Sequence, residues 1–324
     1  MKRIVVFLFA LALLCACFAG CSGSSSADGS GGNSEKFKIG VVSPTVTEGW
    51  GSGVTYYAEQ YCKELAINGE IEYRLFRCNS AEDVISGVEQ LRTWGVQAVV
   101  VYPQWEGVEK TLQSLIDDGI PVISVDIDTG CKGSYRITGD DEGLGRRSAQ
   151  YIVQTIGRSG TVVMLNAPSG GAVSTLRQKG FEEKIAEIAP KVTVYTYAAD
   201  FTRESGQAVF ADALANHEQI DAVFSMDDET SIGVLRALKE SGRTDVQVIT
   251  GGGGRQEYLR LMAEEENDEL HLQTVLYSPI MAQDAIDSAL ALLRGETVQQ
   301  NKTISATVLY KGICEKYLDE NSPY

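Results

Sequence analysis

From Phe37 onward, short runs of β-branched residues alternate with longer amphipathic stretches, and this rhythm restricts the fold more than any other feature of the 324-residue chain. Such alternation marks parallel βαβ units. The runs Lys38 to Val42, Ile71 to Phe76, Ala98 to Tyr102, Pro121 to Val125, Gly160 to Leu165, Val192 to Tyr197, Ala222 to Ser225, Val246 to Thr250 and Leu272 to Leu276 read as strands. Between strands, Val84, Ile85, Val88 and Leu91 share one stripe at helical spacing. Ile232, Leu235 and Leu238 form another, with Asp227 or Asp228 placed to cap its start. Pro279 opens an apolar helix from Ile280 to Leu293 that Gly295 ends. Ala98-Val99-Val100-Val101 is apolar without interruption, which calls for a sheet covered on both faces. The expected fold class is α/β with parallel sheets.

Residues 1–35 stand apart from that rhythm. Lys2 and Arg3 precede an apolar run from Ile4 to Phe18, too short to span a bilayer with margin, and small residues follow. This is the pattern of a secretory signal over residues 1–20. Phe18-Ala19-Gly20-Cys21 resembles a bacterial lipobox, with Phe18 where Leu is usual, so Cys21 is expected to carry a lipid. The Ser/Gly-rich tract behind it, residues 21–35, reads as a flexible tether. A body of roughly 285 residues remains, enough for two domains. It is expected on the outer face of the cytoplasmic membrane, and a lipid leash suits a Gram-positive envelope.

Charge and rare residues narrow the function. The net charge of −16 becomes −18 without Lys2 and Arg3, and an acidic surface of this kind repels nucleic acid and anionic lipid. Cys15 and Cys17 are small hydrophobes of the signal, while Cys62, Cys78, Cys131 and Cys314 are scattered and expected mostly as free, packed thiols. The only histidines are His217 and His271, a poor supply for a zinc site or a nucleophile's base. There is no Gly-x-Ser-x-Gly elbow, and Gly251-Gly252-Gly253-Gly254-Arg255 fits neither a P-loop nor a dinucleotide fingerprint. Asp126 and Asp128 sit two residues apart on one segment, whereas a glycosidase needs carboxylates flanking a bond. Neither catalysis nor a cofactor or metal is expected.

Ligands of covered parallel sheets bind beyond the strand carboxyl ends. Just past the strands stand Ser43 with Glu48 and Trp50, Tyr102 with Trp105, and Asp126 with Asp128. The second half adds Arg177, Phe201, Asp227 with Asp228, Gly252 within the glycine run, and Tyr277. Aromatic faces pack on the C–H faces of sugars, and carboxylates and guanidinium groups pair with hydroxyls, so the mixture suits a neutral polyhydroxylated ligand. Each residue has a plainer reading as well. Trp94, beside Gly95 at a helix end, is read as packing; the plain alternatives are a helix cap for Asp228 and pairing with a nearby carboxylate for Arg177, with ligand contact favoured at Asp227 and Arg177.

Several stretches resemble one family in order and spacing. They are Gly119-Ile120-Pro121-Val122-Ile123 ending in Asp126, Arg177-Gln178-Lys179-Gly180-Phe181, Ala199-Asp200-Phe201, and Asp221 to Glu229 running into Gly233-Val234-Leu235-Arg236-Ala237-Leu238. Over about Phe37 to Lys311 the chain resembles the type I periplasmic sugar-binding proteins, the ribose-binding group of ABC-transporter receptors. The resemblance implies two Rossmann-like α/β lobes, 36–139 with 278–304 and 140–277 with 305–318, followed by a tail at 319–324. A three-segment hinge would cross near Gly139 to Asp140, Tyr277 to Ser278 and Ile304 to Ser305. It implies ligand contacts at Ser43, Trp50, Asp126, Arg177, Phe201, Asp227 and Tyr277, with Glu48 and Trp105 as further candidates. It also implies a monomeric receptor handing a monosaccharide or polyol to an ABC permease. The alternative is a sensory receptor for a membrane kinase or chemoreceptor, with an amino sugar or a furanose signal molecule as ligand. The chain departs from the ribose pattern at Ile127, where Arg usually follows the Asp, which removes one guanidinium. It departs again at Gly251 and Gly252, where the family carries an aromatic and an acid, and at Asp227, where an amide is common.

Overall fold

The computed structural model describes residues 36–45 and 49–324; Cys21, the signal and tether, and Glu48 lie outside the described residues. The chain begins β1 (Phe37–Pro44), α1 (Gly49–Ile67), β2 (Ile71–Cys78), α2 (Ala81–Trp94), β3 (Ala98–Val101), α3 (Glu109–Asp117), β4 (Val122–Val125) and β5 (Tyr135–Gly139). It continues α4 (Asp141–Ile156), β6 (Ser159–Asn166), α5 (Gly171–Ile188), β7 (Lys191–Ala198), α6 (Arg203–Asn216), β8 (Ala222–Phe224), α7 (Asp228–Ser241), β9 (Val248–Gly253), α8 (Gln256–Glu264) and β10 (His271–Leu276). It closes with α9 (Met281–Leu293), β11 (Asn301–Ile304) and β12 (Thr307–Tyr310).

These strands make two six-stranded sheets, ordered β11-β5-β4-β3-β1-β2 and β12-β10-β9-β8-β6-β7. All neighbours pair in parallel except β10 with β12. Helices cover both faces, so β3 and β4 are buried along their whole length, as the unbroken apolar run requires. The chain passes between the sheets three times: from β5 to α4, from β10 to α9, which packs on β3, β4 and β5, and from β11 to β12.

Local chemistry sets the element ends. Ser80 caps α2 by accepting from the Asp83 amide at 3.2 Å, and Gly95 ends it in the left-handed conformation. Asp227, not Asp228, caps α7, accepting from the Glu229 and Thr230 amides. Sequence patterning misses β5, β11 and β12, because four- and five-residue strands at or near a sheet edge carry too little apolar alternation to separate them from loop. Cys62, Cys78 and Cys314 are buried free thiols, while Cys131 is only half-buried.

The Arg-x-x-Gly-Phe motif has a packing cause. A Cβ at Gly180 would lie 2.1 Å from the Glu142 carbonyl oxygen, and one at Gly145 would lie 2.0 Å from the Arg177 carbonyl oxygen. The two glycines therefore let α4 and α5 approach until their backbones nearly touch. Phe181 then stacks on Phe224, with ring centroids 4.3 Å apart, and Arg177 is delivered beside Asp141 at the start of α4.

Candidate functional site

The loops beyond the carboxyl ends of both sheets surround one cavity of about 580 Å³, within the range for small-molecule sites. On the first-lobe side, the first turn of α1 presents Trp50, β3 leads to Tyr102, and β4 leads to Asp126, Ile127 and Asp128. The second lobe contributes Arg177 from α5, Phe201 before α6, Asp227 at the start of α7, and Gly252 and Gly253 at the end of β9. Tyr277 stands on the crossover after β10 and joins the two sides.

Tyr277 organises the first-lobe face. Its hydroxyl donates to Asp126 Oδ1 and lies 3.3 Å from Thr138 Oγ1, while its backbone carbonyl accepts from Trp50 Nε1 at 2.7 Å. The Trp50 ring is held between Tyr102 and Tyr277, at centroid distances of 5.6 and 5.8 Å. Three aromatic rings thus form a fixed wall. The close seat of Tyr277 needs Gly139 on the neighbouring crossover, where a Cβ would fall 2.1 Å from the ring.

Arg177 is the hub of the opposite face. Although only 6% exposed, it donates from Nε to Asp141 Oδ1 at 2.8 Å and from Nη1 to the Met226 carbonyl at 2.9 Å. Its guanidinium also lies 4.8 Å from the Tyr277 ring centroid and 6.0 Å from that of Phe201. Burial alone would lower the proton affinity of Arg177, but Asp141, Tyr277 and Asp227 outweigh it and hold the group above its ordinary value. Burial pushes Asp141 up, against the pull of Arg177. Two non-glycine residues among those described have positive φ, Asp126 at 65° and Met226 at 67°. Each follows a strand, one in each lobe, and strain of this kind gathers at ligand clamps.

The acids of the second lobe are unusually placed. Burial raises Asp227 to about 7 and Asp228 to about 6, each from an ordinary value of 3.8. Asp228 is fully buried and accepts from the Gly254 and Arg255 amides, both at 2.7 Å, and from Thr274 Oγ1 at 2.6 Å. It holds the glycine run to β10 and is not the helix cap that its position in the sequence suggests.

Residues 39–297 match the model of the periplasmic binding protein domain family. The chain belongs to that family. This periplasmic binding protein is 28% identical over 278 residues to the ribose import binding protein RbsB of Bacillus subtilis (strain 168), covering 85% of this chain and 87% of the relative. It is 29% identical to the galactofuranose-binding protein YtfQ of Escherichia coli (strain K12), covering 71% and 74%. A crystal structure of a galactofuranose binding protein superposes with TM-score 0.73 at 24% identity, covering 89% of this chain and all of that one. A solute binding protein from Bacillus halodurans C-125 with bound myo-inositol gives 0.72 at 20%, covering 91% and 100%. At these identities the structural likeness speaks for the fold.

Nine of the residues singled out in the sequence line the cavity of this periplasmic binding protein: Trp50, Tyr102, Asp126, Asp128, Arg177, Phe201, Asp227, Gly252 and Tyr277. Ser43 does not. β1 runs on to Pro44, so Ser43 lies inside the strand, 1% exposed, with its hydroxyl bonded to that of Thr55. Trp105 is also absent from the cavity, because the turn after Tyr102 folds its ring onto the apolar cluster around Val101 and Leu112. Trp94 is half-buried packing, with Lys38 and Arg74 over its ring. A guanidinium from another strand does reach this part of the cavity. Arg136 of β5 lines the cavity and donates from Nε to the Asp126 carbonyl at 2.5 Å. Glu229 and Tyr324 also line the cavity, and Asp141 supports it from behind. Asp141 carried a readable signal, a second acid at a helix start, whereas Arg136 sits on a strand that patterning overlooks.

Proposed function

We propose that this protein is the extracytoplasmic substrate-binding receptor of an ABC transporter, capturing a monosaccharide or polyol between two hinged lobes. The observation that carries this reading is the pairing, in one cavity, of aromatic faces from Trp50, Tyr102, Phe201 and Tyr277 with the polar groups of Asp126, Arg136, Arg177 and Asp227. Rings cover C–H faces while carboxylates and guanidinium groups take hydroxyls. The names of the relatives agree in class: ribose import, xylitol-binding and galactofuranose-binding proteins. Three crossovers between the sheets suit hinge closure, and closure strengthens the ligand's hydrogen bonds by excluding water. Among the described residues no helix is long and apolar enough to cross a membrane. We further assign Cys21 as the lipid anchor, which keeps the receptor near its permease and raises its effective concentration there.

A thermal-shift screen of pentoses, hexoses, polyols and amino sugars tests the reading. At about a hundredfold above Kd the true ligand adds roughly 2.7 kcal/mol of stability. No shift with any of them sinks the carbohydrate assignment, and a shift with amino sugars alone redirects it to cationic ligands. With the ligand in hand, Asp126→Ala is expected to cost about 1–3 kcal/mol of binding by leaving hydroxyls unpaired. Titration calorimetry on Trp50→Ala should show weaker binding as well, since its loss opens the aromatic wall.

A further inference from the structure

The carboxyl end of β9 is stripped of side chains. Gly251, Gly252 and Gly253 end the strand and Gly254 follows, so this part of the cavity rim has no side chain of its own. The vacated space is taken by a residue distant in sequence. A Cβ at Gly253 would stand 2.1 Å from Tyr324 Oη, and its φ of 135° already demands glycine. Tyr324 is 6% exposed, lines the cavity, and has the Arg255 guanidinium 5.6 Å from its ring centroid.

The segment leading to Tyr324 is pinned to both lobes. In the second lobe, Gln256 of α8 donates from Nε2 to the Tyr317 carbonyl at 3.1 Å and accepts from the Asp319 amide at 2.7 Å. A turn follows, closed by the Ser322 amide on the Asp319 carbonyl at 3.2 Å and by Ser322 Oγ on the Tyr324 carbonyl at 2.7 Å. On the first-lobe side, a Cβ at Gly53 of α1 would meet the Tyr324 Cβ at 3.1 Å, and Tyr57, one turn on, lies beside Ser322 and Asp319. The stretch that sequence reading leaves as a tail is therefore a strap across the cleft.

We propose that Tyr324 is a ligand-contacting wall of the cavity that sets how large a ligand it accepts, held in place by the strap 317–324, which also restrains the two lobes. The size-selection part rests on the small-molecule capture argued above; the restraint does not. A phenol ring entering from the strap removes volume at the glycine-lined end and offers one more flat face to a ligand. Because the strap touches both lobes, loosening it would let them separate more freely.

Tyr324→Ala, Tyr324→Phe and Gln256→Ala test this by calorimetry with D-ribose, D-galactose, xylitol and the disaccharide sucrose, after circular dichroism has confirmed folding. Tyr324→Ala is expected to lose ~tenfold or more in affinity for the probe that wild type binds best, as truncated aromatic anchors do, and to gain on the larger probe. Tyr324→Phe should stay within about threefold, since the ring does the walling. Gln256→Ala, which loosens the strap from outside the cavity, should fall between them and carries the comparison if Tyr324→Ala does not fold. Unchanged affinity and selectivity in Tyr324→Ala overturn the wall. If wild type binds none of these four, the best binder of the thermal-shift screen replaces them; if nothing in that screen binds, the carbohydrate reading fails, and the restraint is decided on ligand-free protein. Interlobe spin-label distances should broaden in Tyr324→Ala and Gln256→Ala, and a distribution identical to wild type overturns the strap.

Discussion

Arg177→Ala is expected to destabilise the protein by about 3–5 kcal/mol, the range for breaking a buried ion pair by removing one partner. The substitution strips Asp141, itself 5% exposed, of its cationic partner and leaves it with Tyr277 Oη at 3.4 Å. It also orphans the Met226 carbonyl, on a residue already held at positive φ. Urea unfolding reads the loss directly, and the double variant Arg177→Ala with Asp141→Asn should recover part of it, because the uncompensated charge has gone. A single variant within about 0.5 kcal/mol of wild type would show that the pair does not hold the lobe together. Ligand capture should fall with stability, since the guanidinium also supports the Tyr277 ring.

The second large effect is on pH dependence. Asp227 and Asp228 have folded values of about 7 and 6 against an ordinary 3.8, so between these limits the folded state binds more protons than the unfolded. Their contribution to stability is therefore fully present below about pH 4 and is lost as pH rises through 6 to 7. A tenfold difference in proton affinity between the two states is worth about 1.4 kcal/mol. Asp245, whose carboxyl Arg243 holds below its ordinary value, acts in the opposite sense and in a lower window, losing its contribution only as the medium becomes strongly acid. Asp227→Asn keeps a side chain able to cap α7 and removes the titration. It is expected to flatten the stability profile from pH 4 to 7 and to raise stability at pH 8. Denaturant midpoints across that range test it, and a profile as steep as wild type would falsify the assignment to Asp227.

Much of the site was legible because strand-end chemistry is local. Asp126 follows Val122–Val125 and Asp227 follows a short apolar run, so the rule that ligands gather at carboxyl ends leads to both. Ser43 and Trp105 show where the rule loses force. Side chains alternate across a strand, so when β1 runs two residues past its apparent end, Ser43 points into the layer beneath α1 instead of the cleft. A turn can likewise send an aromatic ring inward, as it does at Trp105.

Periodicity and strand-end residues by themselves determined the α/β class, the places of nine strands along the chain and the aromatic-plus-carboxylate character of the cavity lining, because each depends on neighbours within a few residues. Tertiary structure alone decided that Arg136 brings a guanidinium to the Asp126 carbonyl, that Asp228 braces the glycine run, and that Tyr324 fills the space those glycines vacate. Each of these brings together groups far apart in the chain, and the spacing of residues in sequence carries no record of which distant side chain will enter a space that a glycine leaves open.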